Sequence, residues 1–492
     1  MGAEIEQESF TDAERARFSE KLKRSLQALD ELVHRPGFGR GVASIGAELE
    51  LCLTDAEGMA LARNGDVLAA ARSDRVTLEL DNFNLECNAK PVALAGMPFA
   101  ALEADLKSEV AEVERAAAKI GGRIIAVGTL PTLQASDLEG GLSDRPRYRA
   151  LSQGLRATRQ APFVAHIEGE ETLDLQANDV AMCGAATSFQ VHLRVEPADF
   201  ARVFNAAQLA VTPALAASGN SPFFLGKRLW HETRVALFTQ GTDDRHPDRA
   251  WRQLPRVGFG HGWVREGITE LFAADVALHA PLLPQCSDED PLAVVRAGGV
   301  PELAELRLHH GTIYPWNRPV YDSADGGHLR VEFRPLPAGP TLVDMMANAA
   351  FLLGLTLGLS RNIDALVAAM PFGHAERSFF RAAHGGLGAQ LFWPSAAPPS
   401  PVLTSPQALI DLLLPTAADG LRQGGVDEGE TTRLLQIFSA RATSGQTGAV
   451  WQRKATERLE RSLPRAQALQ VMLKQYAAHA KTGEPVHTWP LP

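Results

Sequence analysis

Cysteine is scarce in this sequence: Cys52, Cys87, Cys183 and Cys286 are the four in a chain of 492 residues, and no two form a CxxC pair. That spacing argues against a zinc knuckle and against a disulfide framework, and it sets a reduced, cytoplasmic expectation. Basic residues are also in short supply, with 48 Lys and Arg against 58 Asp and Glu and a formal net charge of −10. A phosphate backbone is held by clustered Lys and Arg, so nucleic acid is not an expected partner. Any anionic substrate then needs local basic residues or metal ions. Long apolar runs are missing too. The most apolar window, Ala349 to Leu359, is about half the length that a bilayer span requires and reads as a core helix, so no membrane association is expected. The opening MGAEIEQESFTDAER has neither the basic start nor the apolar run of a signal peptide, and Glu6 stands where a myristoylated Gly2 wants Ser or Thr.

Several motifs are absent as well. Gly258-Phe259-Gly260-His261-Gly262 lacks the spacing of a Rossmann or P-loop turn and reads as a loop. Ser143, Ser188 and Ser221 lack the setting of a nucleophile elbow. Cys52 and Cys87 read as small buried residues rather than nucleophiles, and His309-His310, which could bind a metal, as loop histidines without a role. No internal repeat is evident.

What is present is an ordinary globular composition, 45% hydrophobic and 22% charged. Helical spacing of Phe18, Leu22, Leu26, Leu29 and Leu32 predicts a helix over 11–34, capped by Thr11 or Asp12 and ended by Pro36-Gly37. Strict alternation then predicts a strand at Ala43 to Leu53, ASIGAELELCL, with Glu48 and Glu50 sharing one face. Val76 to Asn88 reads as two short strands around an Asp81-Asn82-Phe83 turn, with Glu79 and Glu86 opposite each other if the turn is tight. A helix over 98–120 and a strand over 123–130 follow. Thr187 to Val195 and His328 to Arg334 alternate again, turning Ser188, Gln190, His192, Arg194 and then Arg330, Glu332, Arg334 to the polar side. Helices are expected at 197–217 and from Leu342 to about Met370, and little can be placed between about 241 and 300. The organisation expected is an N-terminal helix in residues 1–40, a catalytic domain in 41–393, a linker in 394–406 and a helical accessory region in 407–492.

Repeated alternation with one apolar and one polar face predicts an α+β fold, an antiparallel sheet covered on one side by helices. Glu48 and Glu50 alone are read equally well as a solvated sheet face. Adding Glu79, Glu86, His192 and Glu332 gathers carboxylates and a histidine with no dense supply of lysine on the same stretches, which divalent cations would neutralise. An oxygen-rich, thiolate-free donor set suits Mg²⁺ or Mn²⁺, and Mg²⁺ commonly bridges carboxylates to nucleotide phosphates, so ATP is the expected co-substrate. Arg334, two residues past Glu332, either holds a transferring phosphoryl group or pairs with a neighbouring glutamate.

These residues together resemble the glutamate–cysteine ligase family, in its branch of carboxylate–amine ligases and plant-type γ-glutamylcysteine synthetases. The resemblance rests on Gly46-Ala47-Glu48-Leu49-Glu50, on Glu79 with Glu86, on Ile125 to Pro131, and on Gln190-Val191-His192. It extends to Ala214 through Pro222, to Thr312 through Arg318, and to Glu332-Phe333-Arg334, in the family's order over about residues 40–375. It implies a glutamine-synthetase-like catalytic sheet on which ATP phosphorylates a γ-carboxylate and an amine displaces the phosphate. By matching position it implies Glu48, Glu50, Glu79, Glu86, His192 and Glu332 as metal ligands and Arg234 and Arg334 as catalytic contacts. Arg318, Gln190, Asn220 and Lys227 are then expected to bind substrate or nucleotide. Gly226 to Arg234 departs from the family by lacking its Thr-Gly and Ser. Glutamate is the expected acid and cysteine one candidate amine, with a homo-oligomer possible. The rival reading is a non-catalytic nucleotide or amino-acid sensor on the same fold.

Overall fold

The computed structural model describes residues 5, 7–395 and 400–492; Gly2, Glu6 and part of the 394–406 stretch lie outside them. The first helix, Asp12–Val33, opens on a capping box in which the Glu14 amide donates to Thr11 Oγ1 and the Thr11 amide donates to Glu14 Oε2. Phe18, Leu22, Leu29 and Leu32 form its buried stripe.

Eight strands make one antiparallel sheet: β1 (Ser44–Thr54), β2 (Val76–Leu78), β3 (Asn84–Asn88), β4 (Val92–Ala93), β5 (Arg123–Ile125), β6 (Phe189–Val195), β7 (Asn317–Asp322) and β8 (His328–Phe333). Their order is β7-β8-β6-β1-β3-β2, and β4 and β5 pair with opposite ends of β1. The strand at Ala43 to Leu53 therefore lies in the middle, with β6 on one flank and β3 on the other. Two details differ from the sequence reading. The turn after β2 is wider than a tight hairpin, because Asn64 Nδ2 donates to the carbonyls of Asp81 and Asn84 and the Asn82 amide donates to Gly141. Glu86 consequently faces Thr77 rather than Glu79. The strand expected over 123–130 stops at Ile125, since the carbonyls of Val127 and Gly128 are taken by the Thr187 hydroxyl.

Helices Pro98–Ala118, Phe200–Ser218 and Leu342–Ser360 contribute long runs of buried side chains. Leu342–Ser360 is long and apolar enough to cross a membrane by length and composition, yet 83% of its apolar window is buried inside the fold, which makes it the core helix that the sequence suggests. It ends earlier than the expected Met370, and a separate turn of helix, Ile363–Ala368, follows. Thr341 caps it and holds Asp344, whose Oδ1 receives Arg441 Nη1 at 2.9 Å in a fully buried ion pair. Four helices, Pro406–Gln423, Glu428–Ser444, Gly448–Leu459 and Arg465–Ala480, complete the chain. They pack into the same core: Phe351 stacks on Phe438 at 4.1 Å, and Tyr476 Oη donates to the Ala126 carbonyl at 2.8 Å. Leu391–Pro394 pairs with Pro401–Thr404 as a short ribbon at the edge of the proposed linker.

Candidate active site

The sheet register decides which side chains meet. Glu50 lies directly opposite Glu86, Glu48 opposite Gln190, and both Gly46 and Glu332 opposite His192, with Arg318 opposite Glu332 in turn. Residues directly opposite on neighbouring strands share a face, so five adjacent strands bring these groups to one surface. That surface is covered: Glu50, Glu86, His192 and Glu332 are all buried, and a cleft over it is lined by Glu48, Glu50, Glu79, Glu86, Arg234, Arg318 and Arg334. Like charges placed directly opposite in a sheet repel, and the fold nevertheless pairs Glu50 with Glu86.

Carboxylate oxygens of Glu50, Glu79 and Glu86 lie within 4.8 Å of one another. Glu50 is fixed by the Ser188 amide at 2.7 Å, the Ser188 hydroxyl at 2.8 Å and Gln190 Nε2 at 2.8 Å. Glu86 accepts from Thr77 Oγ1 and Asn88 Nδ2. Burial, followed by the charges of neighbouring glutamates, raises Glu79 well above the usual carboxylate range and raises Glu86 to about 7. Burial also raises Glu50, against the nearby Arg234. Three acids crowded this closely form a donor set that fits a divalent ion with oxygen ligands.

The second half of the face is balanced differently. His192 Nε2 lies 3.2 Å from Glu48 Oε1, and its buried Nδ1 has no hydrogen-bond partner among the described residues. Burial disfavours the Glu48 charge, but the His192 ring outweighs it and holds Glu48 down to about 2. Glu332 receives Arg318 Nη2 at 2.6 Å and also pairs with Arg334. Those two arginines overcome its burial and keep it well below the normal range. Arg334 thus makes the glutamate pair that the sequence left as an alternative, while Nη1 also donates to Gln190 Oε1 at 2.7 Å. Glu48, His192 and Glu332 suit a second cation, with the unpartnered His192 Nδ1 as the observation in favour.

Arg234 reaches the cleft from helix Thr233–Gly241 and is steered by Glu232 and the Pro335 carbonyl, each at 3.0 Å. Two expected contacts are not brought here. Asn220 is buried in a structural network, donating to the Ala338 carbonyl and Tyr476 Oη and accepting from Gln452 Nε2. Lys227 is exposed on the Phe223–Arg228 hairpin and is not among the residues lining the cleft. Sequence reasoning also missed Arg147 and Tyr148, which line the cleft from helix Pro146–Arg159, and Tyr314, over whose ring Arg334 lies at 5.9 Å. A Pro at the first helical position followed by Arg-Tyr-Arg was the available signal for Arg147.

The profile of glutamate-cysteine ligase family 2 matches residues 44–466. Among solved structures, a glutamate–cysteine ligase from Francisella tularensis, determined in complex with AMP, aligns with a TM-score of 0.55 at 12% identity over 92% of this chain and 91% of that one. A bifunctional glutathione synthetase from Pasteurella multocida aligns with a TM-score of 0.50 at 12% identity, over 95% of this chain and 55% of that one. A search of curated protein sequences gave no match. At such identities the likeness speaks for the fold: the antiparallel sheet is the one the alternating strands predict, and its glutamine-synthetase-like form is the one the family resemblance implies.

Proposed function

The chain belongs to glutamate-cysteine ligase family 2, a family of ATP-dependent carboxylate–amine ligases, and on that premise we propose that it activates the γ-carboxylate of glutamate and transfers the acyl group to an amine, cysteine first among the candidates. The observation that carries this reading is the convergence of Glu50, Glu79 and Glu86 within 4.8 Å, beside Arg234, Arg318 and Arg334 in one cleft. An acidic floor with arginine walls supports the binding of metal-associated nucleotide phosphates next to a carboxylate substrate.

The chemistry proposed proceeds in two balanced steps. A γ-carboxylate oxygen attacks the terminal phosphorus of ATP, ADP leaves, and an acyl phosphate forms. The amine then attacks the acyl carbon, inorganic phosphate departs with the bonding pair, and the ammonium proton is released. Divalent magnesium or manganese, held by Glu50, Glu79 and Glu86 and by Glu48, His192 and Glu332, would supply charge neutralisation for the phosphates. Arg334 and Arg318 present guanidinium groups beside the same face, where transferring phosphoryl oxygens develop charge. Arg234, oriented by Glu232, is placed to hold an anionic group of the substrate or the phosphoryl group itself. No protein nucleophile is required, and the burial that pushes the Cys52 and Cys87 thiols up to about 12 agrees with that. Leu151, Leu155, Val180 and Phe238 on the cleft wall favour an amine with a small, weakly polar side chain.

The test is a screen for ADP release with Mg²⁺-ATP, pairing glutamate and other acids with cysteine, further amino acids, ammonia and polyamines, with mass spectrometry of the product. Glutamate with cysteine should give ADP and a γ-glutamyl amide. A panel in which ATP binds but no pair yields ADP would overturn the proposal.

A further inference from the structure

Behind the cleft wall lies a second group of metal-competent side chains that the proposed reaction does not use. Donor atoms of His261, Asp275 and His279 lie within 4.8 Å of one another. Asp275 and His279 are each 6% exposed, and His261 is on the surface. Among the described residues, buried His279 Nε2 has no hydrogen-bond partner, nor does Nδ1 of the neighbouring His309. A buried imidazole nitrogen without a partner forfeits its solvation unless another group takes its lone pair.

The local sequence explains the arrangement. Asp275 is on helix Ile268–Leu278 and His279 is that helix's C-cap. His261 stands between Gly260 (φ 122°) and Gly262 (φ 156°), conformations that L residues rarely adopt, so the glycines shape the loop that presents the ring. Asp275 is held from the far side: its Oδ2 meets His310 Nδ1 at 2.5 Å, and its carbonyl meets His309 Nε2 at 3.1 Å. His310 Nε2 reaches the Pro319 carbonyl at 2.7 Å, so both nitrogens of that ring face acceptors. A carboxylate braced in this manner by histidines and backbone resembles the outer support found around metal ligands. Arg256 is a nearby cation, and it is itself held by Asp244 at 2.5 Å and by Thr312 Oγ1 at 3.1 Å.

We propose that His261, Asp275 and His279 bind one zinc-class divalent cation at a site separate from the acidic cleft. Two imidazoles and one carboxylate with an open, solvent-facing side form a donor set preferred by Zn²⁺ over Mg²⁺, with room for a water as the fourth ligand. The ion ties the loop after Gly258 to helix Ile268–Leu278. Through His310–Pro319 and Arg256–Thr312, it stiffens the segment 311–318, whose Gly311, Tyr314, Trp316 and Arg318 line the cleft.

Full-length protein stripped with a chelator is titrated with Zn²⁺ by calorimetry in excess Mg²⁺. One equivalent should bind, with affinity reduced at least about tenfold in His261→Ala and in His279→Gln and unchanged in Glu79→Gln. Co²⁺ in place of Zn²⁺ should give a visible ligand-field spectrum that His261→Ala loses. His261 is exposed, so that variant tests binding without disturbing the core. Absence of stoichiometric Zn²⁺ binding, equal affinity in His261→Ala, or loss of the site in Glu79→Gln would each overturn the proposal.

Discussion

Glu79 is where the conflict between stability and chemistry is sharpest. Its half-buried carboxyl lies close to those of Glu86 and Glu50, with no ion pair of its own among the described residues. Glu79→Gln keeps the shape and removes a carboxyl whose ionisation the fold opposes and the unfolded chain does not, so the metal-free variant should be more stable than the wild type at pH 8 by about 1–3 kcal/mol. The same variant should lose nearly all Mg²⁺-dependent ADP release; calorimetric melting in a chelator and a coupled ADP assay read the two effects separately. His231 makes a different prediction. Burial, then the neighbouring Arg453 and His384, lowers it to about 4, and its Nδ1 has no hydrogen-bond partner among the described residues. An unfolded histidine takes up a proton near pH 6.5 while this buried ring stays neutral. Its contribution is therefore present above pH 6.5 and is lost as pH falls toward about 4, by up to about 3 kcal/mol. Denaturant unfolding at pH 7.5, 6 and 5 should show the decline, and His231→Gln should flatten that part of it.

At the scale of elements, helix packing fixes what the sheet rests on. Helices Leu342–Ser360 and Pro406–Gln423 cross so closely that a Cβ at Gly420 would strike the Gly354 carbonyl, and one at Gly358 would strike Thr416. Gly420→Ala should accordingly destabilise the protein by about 1–3 kcal/mol. Gly65→Ala, in a helix with open space around it, should be neutral or slightly stabilising; urea midpoints of the two variants check the contrast. Much of this level was legible in the chain. Period-two alternation located β1, β6 and β8 and put Glu48, Glu50, His192 and Glu332 on one face, because strand periodicity is a local property. The register that sets Glu86 against Thr77 rather than Glu79 was not readable in advance. It depends on Asn64 and Gly141 holding the turn open, contacts made far along the sequence. Arg147 and Tyr148 escaped for a similar reason, since a helix in a weakly periodic stretch reveals neither its docking partner nor which face meets the cleft. Asn220 and Lys227 were placed by motif, and a motif does not tell a residue that touches substrate from one that builds the turn.

For the whole molecule, the C-terminal helices and the sheet form one structure. Tyr476 joins Asn220 and Ala126, Gln452 joins Asn220, and Arg441 neutralises Asp344 at the start of the core helix. Removing residues 406–492 leaves Asp344 buried without its partner and uncovers the apolar flank of Leu342–Ser360. The truncated chain should show no cooperative unfolding transition by circular dichroism, whereas independent folding of residues 1–405 would contradict this packing. A molecule built as one unit around an acidic cleft makes a single chemical claim, that a carboxylate is activated by phosphorylation. The direct measurement uses glutamate labelled with ¹⁸O in its γ-carboxylate, turned over with Mg²⁺-ATP and cysteine. Passage through an acyl phosphate must deliver one ¹⁸O atom into each inorganic phosphate formed; γ-glutamyl product accompanied by unlabelled phosphate would contradict the account.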